Sequence, residues 1–207
     1  MGKTKPGFGK CLTSKVAMVT GATRGVGRAT AFAFAKEGAY VVGIDICPSV
    51  CERSGVKPPT SANLAGTGRQ VQAGGRRWPG AEQDQRNIPD LQATALQVEK
   101  EFGGIDILFA NAGIREFRPL LEIDDKEWQI YLDVNLTRTA NAMGAFAPYL
   151  VKRGGGRIIV TSSTQGRHRT KYGAAYSASK WGITGLMKSA ALELGVYGIN
   201  VNAVIRG

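Results

Sequence analysis

The strongest constraint on the fold is a short apolar segment followed at once by a glycine-rich turn and a helix-forming segment. Residues 15–20 form an apolar run typical of a buried strand, and the spacing Gly21-x-x-x-Gly25-x-Gly27 comes directly after it. Residues 28–38 follow a helical pattern that ends at a glycine. In this order of elements, glycines let a phosphate approach the backbone, and the helix begins with unpaired N–H groups. The segment therefore predicts the first strand, turn and helix of a dinucleotide-binding fold.

A second apolar strand is predicted over residues 39–44, and it ends in Asp45. An acid about 20 residues after the glycines is placed to accept hydrogen bonds from the ribose of an adenosine. Its charge would repel a 2′-phosphate and so favours NAD over NADP, whereas Arg24 in the turn could pair with such a phosphate. Because Ile46 rather than a basic residue follows Asp45, we expect NAD. The alternative is an aspartate that only caps a loop.

The rest of the chain alternates between helix-type and strand-type segments. Thr60 and Asn87 are each expected to cap a helix, and a long helix is expected from Asp125 to about residue 153, with Asn135 in its first half. Further strands are expected over residues 76–84, 105–110, 157–161 and 199–205, with a loop over residues 162–173. This alternation predicts an α/β fold, a Rossmann-like doubly wound parallel sheet with helices on both faces.

A second chemical feature is the spacing Tyr176-x-x-x-Lys180 in a segment that favours a helix. Positions four apart lie on one face of a helix, so the phenol and the ammonium can share a pocket. A nearby cation favours the phenolate, which makes a phenol a usable general acid and base. Ser162 and Ser163 lie a short distance upstream. The alternative is a surface tyrosine and lysine that are one turn apart by chance.

The net charge of +11 raises the question of nucleic-acid binding. The basic residues are scattered, however, in short groups such as Arg76-Arg77 and Arg167-His168-Arg169. No predicted helix carries a continuous basic stripe, and aromatic residues do not alternate with the basic ones as in a base-stacking surface. We therefore expect no nucleic-acid partner. The group around His168 could contact a substrate, an anionic one in particular, or could be a solvated loop.

Length and apolar content predict one domain. A chain of 207 residues can bury one sizeable core, and no apolar run reaches the length of a membrane-spanning helix, so no membrane partner is expected. Residues 1–14 are expected to form a flexible basic arm, since no apolar segment of a secretory signal follows the lysines. Residues 15–207 are expected to form a single dinucleotide-binding and catalytic domain. A cytoplasmic location is expected.

Three cysteines and one histidine are too few for a metal site or a disulfide framework. The residues are Cys11, Cys47, Cys51 and His168, and only Cys47 and Cys51 are close in sequence. We expect reduced thiols and no bound metal.

Together these motifs resemble the short-chain dehydrogenase/reductase family, of the classical type. The resemblance covers residues 14–207 and rests on an ordered set: Thr20-Gly21-x-x-x-Gly25-x-Gly27, Asn111-Ala112-Gly113, Asn135, Ser163 and Tyr176-x-x-x-Lys180. The long connection after Asp45 is similar to that of a subgroup that includes carveol-dehydrogenase-like, mycofactocin-associated enzymes.

The resemblance implies reversible hydride transfer between NAD and a secondary alcohol or ketone. It assigns the role of general acid and base to Tyr176, while Lys180 favours the phenolate and binds the nicotinamide ribose. Ser163, rather than Ser162, matches the serine that polarises the substrate oxygen. Asn135 matches the residue that holds a water against the lysine. The family also implies a homo-oligomer, a dimer or tetramer.

The resemblance also implies a set of cofactor-binding residues. Among them, Asp84 resembles the acid that binds the adenine amino group. The full set is Gly21, Thr23, Arg24, Gly25, Val26, Gly27, Asp45, Ile46, Asp84, Gln85, Asn111, Ala112, Gly113, Tyr176 and Lys180.

Three features depart from the family pattern. Ala110 stands where the family often has an asparagine, and Arg206 where it commonly has a proline. The sequence stops at Gly207, before the seventh strand of the family, so we expect a C-terminally incomplete sheet of six strands. The alternative to an enzyme is a catalytically weak or inactive dinucleotide-binding fragment or regulatory protein.

Overall fold

The computed structural model describes residues 10–46 and 58–207. Within them, six parallel strands form one sheet in the order β3-β2-β1-β4-β5-β6. The strands are β1 Val16–Thr20, β2 Tyr40–Asp45, β3 Gly80–Glu82, β4 Ile107–Ala110, β5 Gly156–Ser163 and β6 Ile199–Arg206. The predicted doubly wound parallel sheet is confirmed.

Helices connect the strands. They are α1 Gly25–Lys36, α2 Ser61–Ala73, α3 Ile88–Phe102, α4 Asp125–Tyr131, α5 Arg138–Lys152 and α6 Ala174–Gly195, with 3-10 turns at Leu120–Glu122 and Thr164–Gly166. The predicted caps are confirmed, because the side chains of Thr60 and Asn87 accept hydrogen bonds from the backbone N–H groups of Asn63 and Asp90.

Two apolar clusters cover the two faces of the sheet. Side chains alternate along a strand, so Val16 and Met18 of β1 pack into one cluster while Ala17 and Val19 pack into the other. Helices α3, α5 and α6 complete the first cluster, and α1 and α2 complete the second. Every residue of β1 is buried, as expected for the central strand of a parallel sheet.

Several boundaries differ from the sequence predictions. Helix α1 begins at Gly25 rather than at residue 28, and strand β3 covers three residues rather than 76–84. Pro79 limits β3 because it lacks an N–H for the ladder. Strand β5 continues through Ser162 and Ser163, which pair with the end of β6, so the predicted loop begins only after them.

The long helix predicted from Asp125 to about residue 153 is interrupted. A π-helical turn, Leu132–Thr137, joins α4 to α5 and contains Asn135. Such turns are rare and occur often at functional sites. Asn135 therefore lies in the turn where the hydrogen-bond pattern differs from that of the α-helices on either side.

No helix in these two described ranges has the length and apolar character that a membrane span needs. Residues 1–9 of the predicted arm, most of the long connection after Asp45, and both Cys47 and Cys51 lie outside the described residues.

Candidate active site

A cleft of about 510 Å³ lies at the carboxyl ends of strands β1, β2, β4, β5 and β6. Ligands bind at this edge in open α/β sheets, beside the point where the strand order reverses, which here is between β1 and β4. The predicted site residues that line the cleft are Gly21, Thr23, Arg24, Gly25, Val26, Asp45, Ile46, Asn111, Ala112, Gly113, Ser163, Tyr176 and Lys180.

The turn after β1 brings backbone to the cleft. Gly21 and Gly25 have φ values of +70° and +56°, which glycine adopts without strain. A Cβ on Gly27 would lie 2.1 Å from the carbonyl oxygen of Gly21, so no other residue fits there. Because α1 begins at Gly25, an anionic group in the cleft would meet unpaired N–H groups and the positive end of the helix dipole.

Asp45 is held in a fixed orientation at the end of β2. Its side chain is buried, and its Oδ2 accepts hydrogen bonds from the backbone N–H of Thr23 at 2.9 Å and from the Thr23 hydroxyl. Both donors come from the glycine turn, so the turn and the end of β2 form one unit. A fixed carboxylate at this edge can accept hydrogen bonds from ligand hydroxyls.

The segment after β4 is fastened to both neighbouring strands. The backbone N–H groups of Asn111 and Ala112 donate to the Thr20 hydroxyl at 3.0 and 3.1 Å, and the Thr161 hydroxyl donates to Asn111 Oδ1 at 3.2 Å. A Cβ on Gly21 would lie 3.0 Å from the Ala112 Cα. The two turns that form the centre of the cleft are therefore packed against each other.

Tyr176 and Lys180 lie together in the cleft, on α6. Both are buried, and the ammonium Nζ lies 5.6 Å from the centroid of the Tyr176 ring. Nζ also donates a 2.9 Å hydrogen bond to the carbonyl oxygen of Thr161. Burial, with a smaller contribution from the Arg206 cation, lowers the pKa of Lys180 to about 8. The pair has the one-turn spacing on which the sequence prediction depends.

Ser162 and Ser163 have different environments. The Ser162 hydroxyl is bonded within α6, to the carbonyl oxygen of Lys180 and to the Thr184 hydroxyl, both at 3.2 Å. The Ser163 hydroxyl donates to the carbonyl oxygen of Arg206 at 3.2 Å and accepts the backbone N–H of Gln165. Ser162 therefore fastens β5 to α6, while Ser163 has only main-chain partners at the ends of two strands.

Asn135 lies behind the cleft and does not line it. Its amide exchanges two hydrogen bonds with the backbone of Ile114, at 2.9 and 3.1 Å, and its Nδ2 also donates to the Ser179 hydroxyl at 3.0 Å. A Cβ on Gly113 would lie 2.8 Å from Asn135 Oδ1 and 3.6 Å from Lys180 Nζ. The side chain thus connects the segment after β4 to the helix that carries Lys180.

Asp84 and Gln85 do not line the cleft, although the sequence places them among the cofactor contacts. Arg138, the first residue of α5, lines the cleft and lies beside Asp84. It is not among the residues predicted from the sequence. Arg138 is 1% exposed, and its Nη2 lies 3.2 Å from Asp84 Oδ1. Burial lowers the pKa of Arg138, and the Asp84 carboxylate opposes that effect.

A sequence signal for Arg138 does exist. It lies four, seven and eight residues before Ala142, Ala145 and Phe146, which are all buried, so it occupies the core face of α5. A cation at such a position requires a buried partner or a ligand.

Among the described residues, no group of three or more His, Cys, Asp or Glu could hold a metal ion. The reactive groups that line the cleft are the phenol of Tyr176, the ammonium of Lys180 and the hydroxyl of Ser163.

The family model for short chain dehydrogenases matches residues 15–207. An uncharacterised NAD-dependent oxidoreductase of Mycobacterium tuberculosis is 39% identical over 197 residues, which are 95% of this chain and 72% of that protein. The crystal structure of carveol dehydrogenase from Mycobacterium avium in complex with NAD superposes with a TM-score of 0.91 and 38% identity, over 96% of this chain and 72% of that one.

A crystal structure of a short chain dehydrogenase from Mycobacterium paratuberculosis bound to NAD is also similar. It gives a TM-score of 0.92 and 35% identity, over 94% of this chain and 72% of that one. The motifs, the sheet and these relatives agree, and the chain belongs to the short-chain dehydrogenase/reductase family.

Proposed function

We propose that this protein is an NAD-dependent oxidoreductase that interconverts a secondary alcohol and a ketone. The observation that carries the proposal is that Tyr176, Lys180 and Ser163 line the same cleft as the glycine turn. The family membership and the two NAD-bound relatives support it.

The cleft fits a dinucleotide in three respects. Gly21 and Gly25 of the glycine turn line the cleft at the N-terminus of α1, where a pyrophosphate would meet backbone N–H groups. Asp45 offers a fixed acceptor for ribose hydroxyls and would repel a 2′-phosphate, which favours NAD over NADP. The nicotinamide, when bound, supplies or accepts the hydride.

Tyr176 exchanges the proton with the substrate oxygen in this proposal. The Lys180 ammonium lies 5.6 Å from the centroid of the Tyr176 ring, where its charge can stabilise the negative charge that develops on the phenol oxygen during proton transfer. The Ser163 hydroxyl, which donates to a main-chain carbonyl here, would turn to donate to the same substrate oxygen. Two donors on one oxygen polarise a carbonyl and stabilise a developing alkoxide.

Asn135 has a positioning role in this proposal. Its amide joins Ile114 to Ser179, the neighbour of Lys180 in α6, and so sets the ammonium relative to the segment after β4. The water that the family implies beside the lysine would lie near Gly113, which borders both Asn135 Oδ1 and Lys180 Nζ.

We further propose that residues 15–207 act as one dinucleotide-binding and catalytic unit after a basic N-terminal arm, in a cytoplasmic homo-oligomer. Four large apolar side chains at the outer face and end of α6 support a subunit contact, because they are at least half exposed: Trp181, Leu192, Val196 and Tyr197. Light scattering over a range of micromolar protein concentrations measures the molar mass in solution. A molar mass equal to that of one chain at every concentration would contradict the proposed homo-oligomer.

The test of the activity is turnover of a panel of secondary alcohols with NAD, with Tyr176→Phe as the variant. We expect the variant to lose about 100-fold or more in kcat, because only the transferable proton is removed, while NADH binding measured by fluorescence stays within about threefold. Tyr149→Phe, in a partly buried tyrosine of α5 that does not line the cleft, is the matched control. Equal rates for wild type and Tyr176→Phe would reject the assigned acid and base. NADH binding without any turnover would favour the catalytically weak binding protein.

A further inference from the structure

We propose that the alcohol or ketone substrate carries a carboxylate, which Arg115 and Arg206 bind beside Tyr176 and Ser163. The inference rests on the proposed function and deepens it, because it names a substrate class for the same cleft: hydroxycarboxylates and the corresponding ketocarboxylates. The carboxylate serves to bind the substrate and is unchanged by the reaction.

The order of the strands places an arginine on each side of the reacting end of the cleft. Ser163 ends β5, and β5 lies between β4 and β6 in the sheet. Arg115 comes after β4, and Arg206 is the last residue of β6, where it is the ladder partner of Ser163. Both arginines line the cleft together with Tyr176. A substrate oxygen held by Ser163 and Tyr176 would therefore lie between the strand ends that bring the two guanidinium groups.

The protein supplies no negative charge to neutralise these two arginines. In the described ranges, residues 10–46 and 58–207, neither guanidinium forms an ion pair with a carboxylate. Among the described residues that line the cleft, Asp45 is the only acidic side chain. It ends β2, which is three strand spacings from β5, or about 14 Å. That distance exceeds the screening length of about 8 to 10 Å in physiological salt, so Asp45 leaves both cations available to a ligand.

Two other arginines line the cleft, and each has a different place. Arg24 is the N-cap residue of α1, in the glycine turn where a pyrophosphate would lie. Arg138 lies 3.2 Å from Asp84 Oδ1. The phosphates of a dinucleotide are thus matched by the glycine turn, and Arg115 and Arg206 remain for a second anion.

Arg115 is anchored through its main chain while its guanidinium stays able to donate. The preceding residue, Ile114, exchanges two hydrogen bonds with the Asn135 amide, at 2.9 and 3.1 Å. The Cζ atom of Arg115 lies 5.8 Å from the centroid of the Phe117 ring. A guanidinium over an aromatic ring keeps the N–H groups along its edge, and these match the two oxygens of a carboxylate.

Arg206 adds positive charge where the site already holds an ammonium. Burial, and after it the charge of Arg206, lower the pKa of Lys180 to about 8, so the two cations occupy the same end of the cleft. The oxidised nicotinamide ring, when bound, is a further cation. A substrate carboxylate offsets this accumulated charge, whereas an uncharged alcohol leaves it uncompensated.

The first experiment compares carboxylates with their methyl esters, which have the same alcohol but no charge. The pairs are lactate and methyl lactate, and β-hydroxybutyrate and its methyl ester, so that the carboxylate stands at two distances from the alcohol carbon. Calorimetry gives the Kd of each for the protein saturated with NADH. No reaction occurs, because alcohol and NADH are both reduced. In at least one pair the carboxylate should bind about tenfold or more tightly than the ester. Equal affinities in both pairs would overturn the inference.

The second experiment removes each arginine in turn. Arg115→Met and Arg206→Met keep the side-chain bulk, and both residues are exposed, so the fold should be retained. At least one variant should raise the Kd of the preferred carboxylate by about tenfold or more and leave those of its ester and of NADH within about threefold. The corresponding lysine variant should recover part of the loss, because it restores the charge. Arg169→Met, in an exposed arginine that does not line the cleft, is the matched control.

Each remaining outcome also decides the matter. Equal weakening of carboxylate and ester would show that the arginines serve the fold or the cofactor, and a loss as large in Arg169→Met would show an effect of general surface charge. Either result overturns the inference. NADH binding by the wild type is measured first by fluorescence, and failure at that step contradicts the proposed function instead.

Discussion

Thr23 donates both its backbone N–H and its hydroxyl to one carboxylate oxygen of Asp45. The two residues belong to different elements, the glycine turn and the end of β2, so the contact fixes the acid relative to the place where a pyrophosphate would lie. Selection between NAD and NADP would then depend on the pair rather than on Asp45 alone.

The first prediction concerns cofactor selection. Asp45→Ala should weaken NAD and relax the rejection of NADP, because the repulsion of a 2′-phosphate is removed. A change in the ratio of Kd values of about tenfold or more is expected for a close charge contact. Thr23→Val, which keeps the shape and the backbone N–H but removes the hydroxyl, should cause a smaller loss of NAD affinity. A wild type that prefers NADP would contradict the role given to Asp45.

The second prediction concerns Lys180 and pH. Its folded-state pKa of about 8 lies below its ordinary value of 10.5, so the folded protein binds fewer protons than the unfolded chain between these values. The charged form therefore costs stability below pH 8, and that cost disappears as the pH rises from 8 toward 10.5.

Relative to Lys180→Met, the free energy of unfolding of the wild type should rise over that window by up to about 3 kcal/mol. Urea unfolding at several pH values between about 7 and 10.5 measures it. The matched control is Lys188→Met, an exposed lysine on the same helix. A difference between wild type and Lys180→Met that is constant with pH would contradict the buried ammonium.

The third prediction compares two glycines within helices. Gly27→Ala should abolish dinucleotide binding and destabilise the protein, since the new Cβ would meet the Gly21 carbonyl oxygen at 2.1 Å. Gly144→Ala places the same methyl group in open space on the exposed side of α5. It should raise the free energy of unfolding by about 0.5 to 1 kcal/mol. Thermal unfolding measures the stability of the two variants, and NADH fluorescence measures their dinucleotide binding. Similar behaviour of both variants would show that the turn is not tightly packed.

The fourth prediction separates the adjacent serines. Ser163→Ala should lower kcat by about 100-fold, because a donor to the substrate oxygen is lost. Ser162→Ala should lower the free energy of unfolding by about 1 kcal/mol, because its bonds to Lys180 and Thr184 are internal to the fold. Its turnover should stay within about threefold of the wild type. A large loss of kcat in Ser162→Ala, with kcat nearly unchanged in Ser163→Ala, would contradict the roles given to the two serines.

The sequence predicted those parts of the molecule that depend on local chemistry. Thr60 and Asn87 satisfy the first N–H groups of their helices, and that requirement is visible in the residue types alone. The glycine turn and the Tyr176–Lys180 spacing are likewise local, so their place at the sheet edge follows once the sheet is parallel.

Other parts depend on packing between distant segments, which the sequence does not display. Ser162 and Ser163 continue β5 because β6, more than 30 residues later in the chain, supplies their ladder partners; their polar character suggested a loop. Arg138 was missed because its significance comes from Asp84 and from the cleft, neither of which is near it in sequence. The π-helical turn was missed for a different reason: its residues, Leu132–Thr137, have no pattern that distinguishes them from an ordinary helical turn.

That π-helical turn also sets how α5, the helix that follows it, is rotated about its own axis. A turn of this kind holds one residue more than an α-helical turn, and one residue corresponds to a rotation of about 100°. Removing a single residue from Leu132–Thr137 would therefore restore an uninterrupted helix and swing α5 by that angle. The face that carries Phe146 would leave the sheet, and the guanidinium of Arg138 would leave the cleft. The extra residue of the π-helical turn thus sets the rotation of α5 about its axis. With this rotation, the same helix packs against the hydrophobic core and also contributes Arg138 to the ligand cleft.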